Sequence, residues 1–271
     1  DVVEALSEVR VEVGAGDAQS GFELTFDLSP KSALGTLFLL TGGGSLREAD
    51  GRPVARAEPA EYPVGNIADA MDYCHANHLE FWQLVEQSER DVWPRLENIW
   101  RAMTDTVKRG LASKQIILPG TLELARRAGT THSRALGLKG TPRELGLVAA
   151  YALAVAEENA AGMQVVTAPS CGAAGVLPAV LYYFKARRRV PQRRILEALA
   201  TAGLFGASIR ANATVSGAEA GCQAEIGSAC SMAAAAAAQL LGATLRQIEY
   251  AAEMAMEHNL GLNCHQIEGY V

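Results

Sequence analysis

Short runs of alternating apolar and polar positions mark the first part of the chain. Residues 9–13 and 22–26 alternate with period two, which predicts two β-strands because successive side chains of a strand point to opposite faces. A third apolar run, 37–40, is followed by the triple glycine 42–44, where the backbone is free to turn sharply. The pattern therefore predicts a small sheet near the start of the chain.

A polar stretch with three prolines between positions 53 and 63 separates this part from the remainder. From Asn66 onward the apolar positions recur every three or four residues, which is the period of an amphipathic helix. We therefore divide the chain into a small domain with its linker, residues 1–65, and a helical bundle, residues 66–271. The predicted fold class is mainly α.

Caps and breaker residues locate the predicted helices more closely. One helical run opens at Ile67 and continues to Val85, and a second carries Pro94 in its first turn and stops at Gly110. Residues 111–141 are rich in glycine and threonine and are expected to include irregular loops. Further helices are predicted at 143–160 behind the cap Thr141, at 191–209 behind Pro191, at 244–260 behind Thr244, and at 173–188 and 217–241.

Composition and charge narrow the class of protein. The chain has 271 residues, of which 49% are hydrophobic and 20% charged, and its formal net charge is −6. Such an acidic chain lacks the basic face of a nucleic-acid-binding protein, so no nucleic-acid partner is expected. One basic run, 185–194, is interpreted as a solvated helix end, with a phosphate or RNA site as the alternative.

The sequence also bears on the compartment. Residues 1–13 lack the basic start and apolar core of a secretory signal. The longest apolar stretch, 226–241, is dominated by alanine and is too short to span a bilayer. Five cysteines form no compact disulfide framework, which favours a reducing environment. We expect a cytoplasmic protein without a membrane partner.

Two cysteines that are far apart in sequence stand in unusual contexts. Cys222 follows a glycine at the start of a long apolar helix, where the helix dipole lowers a thiol pKa. Cys264 follows a glycine-containing turn, 42 residues later. Thiolates are soft ligands that suit zinc or iron–sulfur clusters, but two of them do not complete a metal site. A buried cysteine that acts as a small hydrophobic residue is the alternative for Cys222.

Several polar residues lie in similar small-residue segments. The stretch that contains Ser170 and Gly172 leads into a predicted helix, whose free amides suit a substrate carboxylate, although a simple N-cap explains Ser170 equally well. Asn212 and Ser216 precede the segment of Cys222. His258 lies in the last turn of a predicted helix and is either a cap or an acid–base group.

Two further cysteine segments have less specific patterns. Cys74, His75 and His78 are ligand-type residues, but no partner pair with zinc spacing accompanies them. We interpret them as core and surface positions of an amphipathic helix. Cys230 lies on an alanine-rich helix and is interpreted as a packing residue.

Four motifs occur together and in a distinctive order. They are VVTAPS at 165–170, NATVSGAE at 212–219, GCQAEIG at 221–227 and EHNLGLNC at 257–264, and EENAAG at 157–162 also fits. In this combination, over roughly residues 60–271, the sequence resembles the iron–sulfur-dependent bacterial L-serine dehydratases, or L-serine ammonia-lyases. The triple glycine 42–44 resembles the end of that family's small amino-terminal α/β domain.

The resemblance implies a [4Fe–4S] cluster held by three cysteines, and no pyridoxal phosphate. Cys222 and Cys264 match two of the ligands. The third is expected beyond Val271, so the chain resembles an incomplete copy whose cluster-binding domain is truncated at its carboxyl end. The family's Gly-Pro-Ser-Ser-Ser-His-Thr motif is also missing, and residues 1–65 are expected to be a remnant of the small α/β domain.

The same resemblance implies deamination of L-serine to pyruvate and ammonia by iron-assisted elimination of water. Ser170, Gly172, Asn212 and Ser216 are then candidates for substrate binding, and His258 is a candidate catalytic residue, while the base stays unassigned. Cluster-dependent elimination from cysteine or threonine is one alternative. A non-catalytic helical subunit without a cluster is another. We expect a homodimer.

Overall fold

The computed structural model describes residues 62–120 and 122–264, and before them the backbone of five short strands. These strands are β1 (Glu8–Val9), β2 (Glu12–Gly14), β3 (Glu23–Phe26), β4 (Thr36–Leu40) and β5 (Leu46–Glu48). The triple glycine and the first two prolines of the predicted linker lie outside the described residues. The division of the chain at residue 65 remains a prediction.

The strands form two antiparallel arrangements. β2, β3, β4 and β5 follow one another in a four-stranded sheet, in which Leu24 is opposite Phe38. β1 instead pairs with β6 (Val165–Val166), which lies between two helices of the remainder. The predicted single strand over 9–13 is therefore wrong: β1 and β2 belong to different sheets. Neither β5 nor β6 was predicted.

The described remainder is helical, which confirms the mainly α fold class. Its helices are α1 (Ile67–Asn77), α2 (Phe81–Ser88), α3 (Val92–Ala112), α4 (Ala128–Leu136), α5 (Gly140–Ala160), α6 (Val176–Ala186), α7 (Gln192–Asn212), α8 (Gly217–Ala220), α9 (Cys222–Leu240) and α10 (Leu245–Glu257). No helix within the described ranges combines the length and the apolar character needed to cross a membrane.

Helix α7 lies at the centre of the bundle. Every residue from Ile195 to Gly206 is buried, as expected for a helix that is covered on all sides. The ring of Phe81 on α2 packs edge-on against Phe205 at 5.4 Å between centroids. On another side, the buried Thr201 hydroxyl donates to Gln239 of α9.

Glycine allows the closest helix–helix contact of α3. A β-carbon on Gly110 would lie 2.3 Å from the carbonyl oxygen of Ala154 in α5. The predicted helix stop at Gly110 is therefore wrong: α3 continues to Ala112, and the missing side chain serves packing instead.

Two of the predicted helices are each divided into two in the structure, and the backbone conformation explains both breaks. The run from Ile67 to Val85 is interrupted at His78, which has a φ of 55° and closes α1. The predicted helix 217–241 is interrupted at Gly221, with a φ of 76°, so that α8 and α9 are separate. Left-handed backbone of this kind is incompatible with a continuous right-handed helix.

The predicted loop region holds an additional helix. Residues 111–141 include irregular loops as predicted, and they also contain the unpredicted helix α4. The first amides of α4 are capped by a side chain from α5, a contact between residues distant in sequence. The proposed cap Thr141 lies inside α5, which begins at Gly140 behind Lys139 without a side-chain cap. By contrast, Thr244 caps α10 as predicted: it accepts from Gln247 N, and Gln247 Oε1 accepts from Thr244 N at 2.9 Å.

Candidate functional site

The structure brings Cys222 and Cys264 together. Cys222 is the first residue of α9, five residues after the predicted helix start at 217, so its sulfur lies at the positive end of the helix dipole. Cys264 lies in the segment that follows α10, and its Cα atom is 6.0 Å from that of Cys222. The two sulfurs are joined in a disulfide.

Side-chain amides hold the two cysteine segments against each other. The Gln223 side chain donates to Ala220 O at 2.8 Å and accepts from Gly261 N at 2.7 Å. The Asn263 Oδ1 atom accepts from Cys264 N at 3.1 Å. It also lies so close to Gly221 that a β-carbon there would be 3.1 Å away. The position of Cys264 therefore depends on the α8–α9 junction.

One carboxylate of α9 lies between two glycines of other segments. A β-carbon on Gly217 would lie 2.5 Å from the Glu225 Oε2 atom, and one on Gly172 would lie 3.0 Å from it. The loop of Gly172 and the start of α8 thus meet at the first turn of α9. Glu225 lies in the GCQAEIG motif and was not among the predicted site residues, although its position one turn after Cys222 was a usable signal.

The segment before α6 differs from its prediction. The helix begins at Val176 rather than at 173, so Ser170 and Gly172 are not in its first turn. They lie in a turn that is closed by a hydrogen bond from Ala174 N to Cys171 O at 3.2 Å. The Asn159 amide donates to the same carbonyl at 3.1 Å. The expected anion site at a helix start is therefore replaced by a turn that α5 holds in place.

Ser170 carries a hydroxyl group without a hydrogen bond. Its Oγ atom is buried and has no partner among the described residues. A buried hydroxyl without a partner costs about 1–3 kcal/mol, which a bound ligand offsets. The N-cap interpretation of Ser170 is wrong, because Gly175 is the residue before α6. Ser170 is consistent with a ligand contact.

The other predicted site residues are already engaged. Ser216 precedes α8, and its backbone N donates to the Thr214 hydroxyl at 3.1 Å. The Asn212 amide donates to Gly65 O at 3.1 Å and to Ser208 O at 2.9 Å. The exposed His258 closes α10, and its Nδ1 atom lies 2.6 Å from Met254 O. These contacts support the cap interpretation of His258, and no described contact joins Asn212 or His258 to the cysteines.

An ion-pair network lies next to the segment that holds the 170–172 turn. Glu158, nearly fully buried, contacts the guanidinium groups of Arg109 and Arg126, the latter at 3.0 Å. Its neighbour Glu157 accepts from Ala128 N at 3.0 Å and so caps α4. Asn159 is next in the chain and reaches the 170–172 turn. The EENAAG segment therefore connects the turn to the frame of α3, α4 and α5.

Cys171 belongs to the same turn and reports on its electrostatics. Desolvation by surrounding protein atoms raises the pKa of the Cys171 thiol, and the negative charge of Glu225 raises it further. The thiol is therefore favoured over the thiolate, which agrees with leaving Cys171 out of the predicted ligands.

The segments with less specific patterns take structural roles. Cys74 is fully buried in the core, and His75 and His78 are exposed. Cys230 is partly buried in α9. In the basic run, Arg193 stacks on Trp93 at 3.6 Å from the ring centroid, and Arg188 pairs with Glu144 at 3.4 Å. The run thus forms part of a paired protein surface.

The donor set gives a partial fit to an iron–sulfur cluster. Such clusters are held by cysteine thiolates, and Cys222 and Cys264 supply two adjacent ones once their disulfide is reduced. Across 62–120 and 122–264, no group of three or more His, Cys, Asp or Glu side chains is arranged to hold a metal ion. The residues present therefore fit two of the three ligands that the resemblance implies.

Comparison with known proteins gives one consistent family. A family model described as "Serine dehydratase alpha chain" matches residues 45–271. The "L-serine dehydratase" of Streptomyces coelicolor is 40% identical over 261 residues, which cover 91% of this chain and 56% of that protein. "L-serine dehydratase 2" of Escherichia coli is 37% identical, with 93% and 58% covered. The "L-serine dehydratase" of Haemophilus influenzae is 41% identical, with 87% and 54% covered.

The chain spans a little more than half the length of these curated relatives. All of the described helices, the cysteine pair and the 170–172 turn fall inside the matched region. This chain therefore belongs to the serine dehydratase alpha chain family.

Proposed function

We propose that the protein is an L-serine ammonia-lyase, which converts L-serine into pyruvate and ammonia. The relatives are named for this substrate, and one observation in the structure supports the same chemistry here. The cysteine pair, the 170–172 turn and Glu225 meet at one place, although they come from separate segments of the chain. A site of this composition combines soft metal ligands with polar groups for a small zwitterion.

The proposed metal ligands are Cys222 and Cys264, with a third cysteine expected beyond Val271. When bound, a [4Fe–4S] cluster supplies a Lewis acid that assists the departure of hydroxide. The position of Cys222 at the start of α9 stabilises its thiolate through the helix dipole. Gln223 and Asn263 fix the segment of Cys264. We expect no pyridoxal phosphate in this reaction.

The chain's own residues bind and orient the amino acid. The buried Ser170 hydroxyl donates to the substrate carboxylate, which gives this group the partner it lacks. Gly172 has no side chain, which leaves room beside the turn for the Glu225 carboxylate and so keeps this carboxylate next to the proposed substrate site. We keep Ser216, at the start of α8, as a further polar contact, and Asn212 and His258 as weaker candidates in view of their existing hydrogen bonds.

The reaction balances as an elimination followed by hydrolysis. The Cα proton and the hydroxide of L-serine leave as water, and a carbon–carbon double bond forms in aminoacrylate. Aminoacrylate tautomerises to an imine, and water then replaces the imine nitrogen to give pyruvate and ammonia. The group that removes the proton is not assigned. We further propose that the protein works as a cytoplasmic homodimer.

The experiment uses the full-length protein, purified and reconstituted with iron and sulfide under anaerobic conditions. We expect a brown protein that contains iron and forms pyruvate from L-serine. Cys222→Ser and Cys264→Ser are expected to lose the iron and the activity, while the control Cys230→Ser keeps both. A colourless, iron-free wild-type protein would exclude the cluster. Turnover of L-cysteine or L-threonine without L-serine would select the other eliminations, and a protein inactive on all three would be a non-catalytic subunit.

A further inference from the structure

The carboxylate of Glu225 has no polar partner in the described part of the chain. It accepts no hydrogen bond and forms no ion pair with another described residue, although it is only partly exposed. A partly buried carboxylate of this kind can accept charge-assisted hydrogen bonds from a ligand. Every other carboxylate named in the site and its support, such as Glu157 and Glu158, has a partner. Glu225 is therefore the open acceptor of this site.

Two glycines make the space for this carboxylate. Any β-carbon on Gly217 would lie 2.5 Å from Glu225 Oε2, closer than nonbonded carbon and oxygen approach each other. On the other side, a β-carbon on Gly172 would lie 3.0 Å from the same oxygen. The carboxylate thus lies against bare backbone of both segments. Contact with the Ser170 turn on one side and with the start of α8 on the other places it inside the site rather than at its edge.

The charges around it complement an amino acid. The start of α9 has the positive end of a helix dipole, and Ser170 offers a hydroxyl donor, and both suit a substrate carboxylate. An α-amino acid also carries an ammonium group next to that carboxylate. Glu225 is the described anionic group without a partner at this point. Desolvation raises the pKa of the Cys171 thiol and the negative charge of Glu225 raises it further, in keeping with a carboxylate that faces the turn.

We propose that the Glu225 carboxylate binds the α-ammonium group of the substrate and so makes the site specific for amino acids over carboxylic acids that lack this group. The inference rests on the proposed function, since it assumes that an amino acid binds here. The contact is a charge-assisted hydrogen bond, typically worth about 1.5–3 kcal/mol. Removing this contact raises the dissociation constant of an amino acid by about 10-fold to 150-fold. The dissociation constant of a carboxylic acid without the ammonium group does not change.

The test uses two non-reacting probes, L-alanine and propanoate, which differ only in the ammonium group. Their dissociation constants are measured by calorimetry with the anaerobically reconstituted full-length protein. We expect the wild type to prefer L-alanine, and Glu225→Gln to lose this preference by at least about 10-fold while its affinity for propanoate stays the same. The control Glu253→Gln, which makes the same change on the exposed face of α10, keeps the wild-type preference.

A second variant separates charge from shape. Glu225→Asp keeps the charge on a shorter side chain, and it is expected to retain part of the preference that Glu225→Gln loses. Equal weakening of both probes by Glu225→Gln would mean that the residue only supports the fold of the turn, and this would overturn the proposal. An unchanged preference, or a wild type without preference, would overturn it as well. Pyruvate formation from L-serine is followed separately: a preference that depends on Glu225 in a protein that forms no pyruvate would reject the lyase and keep the ammonium site.

Discussion

A β-carbon on Gly217 would lie 2.5 Å from the Oε2 atom of Glu225. The atom that it would meet is the far end of a flexible side chain, which can rotate away. A side chain at position 217 therefore displaces the carboxylate without opening the core. A substitution at position 217 should therefore change the site and leave the stability of the fold almost unchanged.

We predict that Gly217→Ala lowers kcat/KM for L-serine by about 10-fold, since the displaced carboxylate loses a contact worth roughly 1.5 kcal/mol or more. Its free energy of unfolding should change by less than about 1 kcal/mol, because alanine also restricts the unfolded chain. Pyruvate formation and urea unfolding are the two measurements. Gly129→Ala in α4 is the matched control, since the nearest atom to its β-carbon is 3.9 Å away. Full activity in Gly217→Ala would show that Glu225 tolerates displacement.

In contrast to Gly217→Ala, Gly110→Ala should mainly lower the stability of the fold. Its β-carbon would lie 2.3 Å from the Ala154 carbonyl oxygen and 2.8 Å from the carbonyl carbon, and backbone atoms in a packed helix cannot rotate away. We expect a loss of about 1–3 kcal/mol in the free energy of unfolding, as for other overpacked cores. Urea unfolding measures it. A stability equal to that of Gly129→Ala would contradict the close contact between α3 and α5.

The two arginines that contact Glu158 should differ in their contributions. The Arg126 side chain is 7% exposed and that of Glu158 is 3% exposed, whereas the Arg109 side chain is 42% exposed. We predict that Arg126→Met costs about 2–3 kcal/mol, since it leaves a buried carboxylate with fewer partners. Arg109→Met should cost about 1 kcal/mol or less, because water partly screens that pair. Denaturant unfolding of both variants checks the order, and a larger loss in Arg109→Met would reject this account.

Alkylation of Cys171 should report on the charge of Glu225. The thiolate is the reacting form, and both desolvation and the Glu225 charge raise the pKa of this thiol. Iodoacetamide should therefore modify Cys171 at higher pH than it modifies an unperturbed cysteine. Removing the negative charge in Glu225→Gln lowers the pKa, so the rate at a fixed pH increases. Peptide mass spectrometry follows Cys171 separately from the other cysteines, and an unchanged pH profile would place the Glu225 charge elsewhere.

Oxidation and metal binding should compete at the cysteine pair. A disulfide between Cys222 and Cys264 leaves neither sulfur as a thiolate, so loading with iron and sulfide requires a thiol reductant. We predict that air-oxidised apoprotein yields a cross-linked peptide pair of these two residues and takes up iron only after reduction. Non-reducing mass spectrometry and iron analysis give the two readouts. Iron uptake by the oxidised protein at the reduced level would contradict the ligand assignment.

Structural features that depend on contacts within a few residues could be predicted from the sequence. The capping box of Thr244 and Gln247 is complete within one turn, and it was predicted correctly. A helix start at or near Cys222 was also expected, although the predicted helix began at residue 217 and ignored the break at Gly221. Positive φ at His78 was not, since no residue type in that segment requires it.

Contacts between distant segments were not predictable in the same way. Gly110 is a residue type that often ends a helix, and it was predicted to do so. Its actual role is to allow the close approach of Ala154 on another helix. The start of α4 depends on Glu157, which follows it by about thirty residues. Glu225 gains its significance from two glycines in other segments. In each case the residue type is known from the sequence, but the residue that it contacts is known only from the tertiary structure.

The approach of α3 to α5 at Gly110 has a consequence for engineering. It keeps Arg109 beside Glu158, and the next residue, Asn159, holds the carbonyl of Cys171. The position of the turn that bears Ser170 therefore depends on the packing of α3, a helix that contributes none of the candidate site residues. Variants of α3 should therefore shift this turn without replacing any candidate site residue.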